Sequence, residues 1–63
     1  FRRSIYFIKN LPKGHILKKN DIRRIRPGYG LAPKYFNSVI GKELIRNVEN
    51  AEPVTWECFK EEK

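Results

Sequence analysis

The chain has 63 residues, a single cysteine and a formal net charge of +7. One small domain is the most it can form, since about 60% of the unfolded surface is buried at this size. A lone Cys58 excludes an internal disulfide, and no paired His/Cys spacing suggests a zinc site.

No apolar run reaches the roughly 20 residues of a membrane span, and no signal peptide is visible. We therefore expect no membrane partner and a cytoplasmic location. The first residue is Phe1 rather than Met, which we read as a segment of a longer protein. Charge is divided unevenly along it. Residues 1–42 hold eleven Lys and Arg against one acid, Asp21, whereas residues 43–63 hold three bases against six acids. A basic body suits an anionic or oxygen-rich partner, or is simply a solvated face.

In chain order, residues 1–3 are expected to be loose. The first unit, "IKNLPKGHILKKNDIRR" (8–24), reads as an apolar strand, the polar turn "PKG", a second short strand and one helical turn. Asp21 is expected to serve that helical turn as a cap, and His15 to be an exposed turn residue.

Then comes "RPGYG". Pro27 disfavours the α region for Arg26, so Arg26 should be extended at a strand end. Gly28 and Gly30 are expected to supply the positive φ of a sharp exit. In "APKYFNSVIGK", Pro33 suits the first helical position and Gly41 the residue beyond the last. Tyr35 or Phe36, Val39 and Ile40 form one apolar stripe at helical spacing.

A second unit, "IRNVENAEPVTWECFKE" (45–61), overlays the first at an offset of 37 residues, with "ENAE" as its turn. Ile45 falls on Ile8, Asn47 on Asn10, Val48 on Leu11, Val54 on Leu17 and Phe59 on Ile22. Two copies are too few for a solenoid. A pseudo-twofold pair, each half covering the other's apolar face, is the expected packing. The expected core is Ile8, Leu11, Leu17, Ile22, Val39, Leu44, Val48, Val54 and Phe59. Trp56 is expected as a core plug with its N–H satisfied at the edge, and residues 60–63 to be loose. The class is mostly β, with short strands and one or two helical turns.

Enzymatic groups are scarce. His15 has no base–orienter partner in sequence, and Cys58, within "TWECF", reads as a buried structural thiol. "RPGYGLAP" lacks both the Walker lysine and the dinucleotide fingerprint. We expect no catalysis, no cofactor and no metal ligand in this segment. A single-strand nucleic-acid reader would interleave exposed aromatics with bases. Tyr6, Phe7, Tyr29, Tyr35 and Phe36 are the candidates by type, but most are needed for so small a core. No RRM or KH pattern is present, so no specific nucleic-acid partner is expected.

"RRSIY" (2–6), "KGHILKKNDI" (13–22), "RPGYGLAPKY" (26–35) and "IGK" (40–42) together resemble the C-terminal antifreeze-like (SAF) domain of N-acetylneuraminate (sialic acid) synthases. The likeness covers essentially the whole chain. It implies a β-clip fold with a pseudo-twofold internal repeat, as in type III antifreeze proteins, over residues 1–63. It also implies a parent enzyme joining phosphoenolpyruvate to an N-acyl mannosamine-type sugar in a barrel that holds a divalent metal, Mn or Mg. The resemblance further implies a homodimer in which this domain caps the barrel of the neighbouring subunit. By motif Arg26 then binds the N-acyl group in trans, with Tyr29 and Lys34 as further substrate contacts.

Related synthases act on legionaminic- and pseudaminic-type sugars, so the resemblance leaves the N-acyl sugar open. The alternative is a non-enzymatic module, either the SAF domain of a pilus or flagellar assembly protein or a basic binder of polyanions. Ice binding is disfavoured by Lys13, Lys18 and Lys19, whose strongly hydrated ammonium groups oppose an ordered water plane.

Overall fold

Strand β1 (Ser4–Phe7) pairs antiparallel with β2 (Ile22–Ile25), Ser4 opposite Ile25 and Phe7 opposite Ile22. The computed structural model describes residues 2–60. The loose ends expected at residue 1 and residues 61–63 lie outside the described residues. Alternation along β1 sends Ile5 and Phe7 to one face and Ser4 and Tyr6 to the other. All four are nonetheless buried. Ile5 and Phe7 enter the main apolar cluster, while the loop after β2 covers Ser4 and Tyr6.

Beyond this ladder the units meet through isolated bridges rather than long strands: Tyr6 with Pro53, Leu11 with Val48, Ile16 with Glu43 and Leu44 with Phe59. Pro12 and Pro53 carry no N–H to extend a ladder, which keeps these segments short. The offset of 37 residues is a structural twofold. It exchanges the Tyr6–Pro53 and Ile16–Glu43 bridges and carries the Phe7–Ile22 pair onto Leu44–Phe59. It also superposes the 3-10 turn Lys19–Asp21 on the 3-10 turn Trp56–Cys58. Leu11 and Val48 lie on the axis, exchanging both backbone hydrogen bonds at 2.9 Å. Asn47 Oδ1 accepts the Lys13 N–H at 2.7 Å, and Asn10 Oδ1 accepts the Asn50 N–H at 2.8 Å. Each asparagine therefore holds the other unit's turn.

Eight of the nine expected core residues are buried, joined by Ile5, Phe7, Phe36 and Cys58. Ile8 is only half-buried. Phe7 points inward, so its neighbour Ile8 must point away; Ile45, beside buried Leu44, is 46% exposed for the same reason. Trp56 is no core plug, being 47% exposed. Its 3-10 turn points Cys58 inward and leaves Trp56 outside, just as the matching turn buries Asp21 and exposes Lys19.

Between the units, a 3-10 turn (Pro33–Tyr35) runs into a single helical turn, α1 (Phe36–Val39). Pro33 opens it, Phe36 and Val39 are buried, and Tyr35 and Ile40 pack against the cluster. Gly41 ends it at φ +90°, where a β-carbon would be strained. No described helix is long and apolar enough to cross a membrane.

Candidate functional site

The site is built on the loop that leaves β2. Arg26 is the first residue after the strand and is exposed; its peptide bond to Pro27 is cis. The Pro27 carbonyl accepts the Tyr6 hydroxyl at 2.6 Å and the Ser4 hydroxyl at 3.3 Å. Ser4 Oγ in turn accepts the Gly30 N–H at 2.9 Å. Leu31 donates its N–H to the Val54 carbonyl at 2.8 Å and accepts the Ile5 N–H at 3.0 Å. The loop is thus fastened at Pro27, Gly30 and Leu31, leaving Arg26 and Tyr29 outward, Tyr29 77% exposed.

The glycines act differently from the sequence expectation. Positive φ occurs at Gly14 and Gly41, not at Gly28 or Gly30. Gly30 is required by close approach: a β-carbon there would lie 2.6 Å from the Ile5 carbonyl oxygen and 2.9 Å from that of Val54. At Gly28 it would meet the Arg2 carbonyl oxygen at 3.0 Å.

Lys34 lies on the following 3-10 turn and is exposed, its Nζ 5.2 Å from the centre of the Tyr35 ring. Tyr35 meets Trp56 edge to face at 5.3 Å. Arg26, Tyr29 and Lys34 therefore share one exposed loop-and-turn segment, though no hydrogen bond joins their side chains among the described residues. Neighbouring Arg24 is stacked over Phe36 at 4.1 Å. Arg26 makes no ion pair among the described residues, so its guanidinium is presented outward. Sequence reasoning missed Ser4 and Tyr6 as the loop's fasteners. Their signal is two hydroxyl side chains at i and i+2, hence on one strand face.

Residues 2–60 match the SAF domain family. The chain belongs to that family. The pseudaminic acid synthase of Campylobacter jejuni subsp. jejuni serotype O:23/36 (strain 81-176) is 35% identical over 49 residues, covering 78% of this chain and 14% of that protein. The N,N'-diacetyllegionaminic acid synthase of Legionella pneumophila subsp. pneumophila (strain Philadelphia 1) is 36% identical over 56 residues, covering 89% of this chain and 16% of that protein. This SAF domain thus spans about a sixth of the length of these curated relatives. The solution structure of the antifreeze-protein-like domain in human N-acetylneuraminic acid phosphate synthase superposes with a TM-score of 0.83. That alignment covers 94% of this chain and 76% of the other at 21% identity, which establishes a shared fold.

Away from the loop, the described residues of the SAF domain form two polar clusters. Asp21 Oδ2 accepts the Lys18 N–H at 2.8 Å, capping its own turn as expected. His15 Nε2 lies 2.8 Å from the same oxygen, and Lys9 Nζ lies 3.3 Å from Oδ1. His15 is therefore half-buried and partnered rather than a free turn residue. Burial alone would raise the Asp21 pKa, but the hydrogen bonds from His15, Lys18 and Lys9 outweigh it and hold the carboxyl below its ordinary value.

In the second cluster Arg46 pairs with Glu52 and lies 3.3 Å from Cys58 Sγ. The Arg46 hydrogen bond, opposed by burial and helped by the Glu49 N–H, holds Glu52 below its ordinary value. Among the described residues no three His, Cys, Asp or Glu side chains gather to hold a metal ion. Of the five aromatics considered for nucleic-acid stacking, Tyr6, Phe7 and Phe36 are buried.

Proposed function

We propose that this SAF domain caps the active site of a cytoplasmic sialic-acid-type synthase, which condenses phosphoenolpyruvate with an N-acyl sugar. Arg26 reaches from one subunit of a homodimer to the N-acyl group of the sugar held by the other. The observation that carries this reading is an exposed guanidinium, free of any ion pair among the described residues, on a loop fastened to β1 and Val54 at three points. A loop already ordered loses little freedom when it meets substrate.

The guanidinium donates charge-assisted hydrogen bonds to the acyl oxygen in a fixed two-pronged geometry. Tyr29 and Lys34 flank the same contact. The relatives named for pseudaminic and N,N'-diacetyllegionaminic acids support an N-acylated acceptor. The condensing groups and the divalent metal, Mn or Mg, belong to a barrel portion outside this segment, and the SAF domain alone turns nothing over.

The test is Arg26→Ala in the full-length enzyme. Loss of a charged donor worth about 1.5–3 kcal/mol lowers kcat/KM for the sugar roughly tenfold to a hundredfold. Phosphoenolpyruvate binding stays nearly unchanged, and Arg26→Lys recovers only part, because an ammonium lacks the planar fork. Full activity with an unaltered acceptor KM would reduce the domain to a dimerisation clamp.

A further inference from the structure

We infer that Trp56 and Tyr35 form the anchor by which this SAF domain docks on the partner subunit of its parent protein, on a surface bordering the Arg26 loop. The inference rests on the capping reading for the identity of the partner, and on the aromatic pair for the surface itself.

Trp56 is the sole tryptophan and stands 47% exposed. Its ring meets Tyr35 at an interplanar angle of 73°, and Lys34 places its ammonium against the Tyr35 ring. The fold does not require an aromatic there. The matching position of the first 3-10 turn is Lys19, which is exposed and solvated, on the same backbone. A large apolar ring standing where the matching turn carries a lysine keeps about half of its surface in water, area that only a partner can bury.

The pair also adjoins the Arg26 loop. Leu31 is hydrogen-bonded to Val54, two residues before Trp56, and Tyr35 follows four residues after Leu31. Trp, Tyr and Arg are the residues that carry most binding energy at protein interfaces. Here Tyr29, 77% exposed, adds a second aromatic on that loop.

The surface that covers the pair is the catalytic portion of the neighbouring subunit. The aligned segment covers only 14–16% of the relatives' length, so most of the parent is available to face this surface. The patch it must offer is apolar or aromatic, with a carboxylate or carbonyl for Lys34.

The decisive variant is Trp56→Lys in the full-length parent, which installs the side chain that the twofold-related turn already tolerates. Sedimentation should show a dimer Kd weakened at least thirtyfold, the scale of an interface hot spot, with circular dichroism unchanged. Arg26→Ala should leave the dimer intact. A dimer unaffected by Trp56→Lys overturns the inference, and so does a wild-type parent that never dimerises. An intact dimer with a raised acceptor KM also overturns it, making the pair a sugar-stacking platform. If Trp56→Lys misfolds, hydrogen exchange on the wild type decides. Amides of residues 33–36 and 55–58 gain protection above the dimer Kd if they dock, and no gain overturns docking. A parent that dimerises through Trp56 but never condenses phosphoenolpyruvate with a sugar would sink the synthase reading and leave the anchor standing.

Discussion

In the first unit, buried Asp21 at the end of its 3-10 turn is met by His15 at 2.8 Å and Lys9 at 3.3 Å. The second unit places Cys58 at the corresponding position, with Arg46 for Lys9 and Glu52 for His15. The acid has moved from the 3-10 turn to the polar turn, and Arg46 now bridges Glu52 and the Cys58 thiol. Both solutions tie a bend (Lys9 or Arg46), the segment just after the polar turn and the 3-10 turn together. The twofold therefore fixes where a cross-link is needed, not which charges make it. The same holds for the positive-φ position, Gly14 at +90° in one unit and Ala51 at +75° in the other. At Lys19 and Trp56 the backbone agrees while the exposed side chain does not, and there the difference points outward.

The largest expected effect breaks the shared core. Leu17, 1% exposed and matched to Val54, should cost about 2–5 kcal/mol when replaced by Ala. Total stability for so small a domain is of the order of 5 kcal/mol, so a denaturant melt should show a nearly unfolded protein. An unchanged midpoint would mean that Leu17 is not a core position.

The two polar clusters should separate next. Asp21→Asn removes a carboxylate that is 3% exposed and accepts from the Lys9 ammonium, a loss of about 1.5–3 kcal/mol at neutral pH. Glu52→Gln should cost under about 1 kcal/mol, because Arg46 and Glu52 are 47% and 26% exposed and screened by water. Both carboxyls titrate below their ordinary values of 3.8 and 4.5. The folded state therefore binds fewer protons than the unfolded one. This stabilisation is complete above those ordinary values and is lost as pH falls through the lower folded ones. Urea melts from pH 7 to pH 2 should show that acid limb, with Asp21→Asn flattening it more than Glu52→Gln.

The smallest effect sharpens the backbone comparison. Nothing lies within 4 Å of a β-carbon built on Gly14, so Gly14→Ala meets only backbone strain, about 1 kcal/mol. Ala51→Gly relieves the same strain at the related position and should gain up to about 1 kcal/mol, offset in part by glycine's entropy. Equal signs for the two substitutions would deny that these positions are equivalent.

Much of this was legible in the sequence. The offset of 37 residues registered Leu11, Leu17 and Ile22 on Val48, Val54 and Phe59, and all six are buried. Arg26 at a strand end followed from Pro27. Trp56 was misjudged because hydrophobicity does not say which side of a 3-10 turn faces in, although its register with Lys19 carried that information. Gly28 and Gly30 were misjudged because close approach and positive φ leave the same letter in a sequence. The grip of Ser4 and Tyr6 on the loop stayed hidden because it runs to a backbone carbonyl 23 and 21 residues away, which no side-chain pattern records.

The most direct measurement mixes two full-length variants: Arg26→Ala with an intact barrel, and intact Arg26 with a catalytically dead barrel. If Arg26 serves the neighbouring subunit, mixed dimers pair the live barrel with a working arginine. Condensing activity then rises well above the sum of the separate variants, with the acceptor KM of the wild type. Activity no greater than that sum, under conditions where subunit exchange is verified, would contradict an arginine acting in trans.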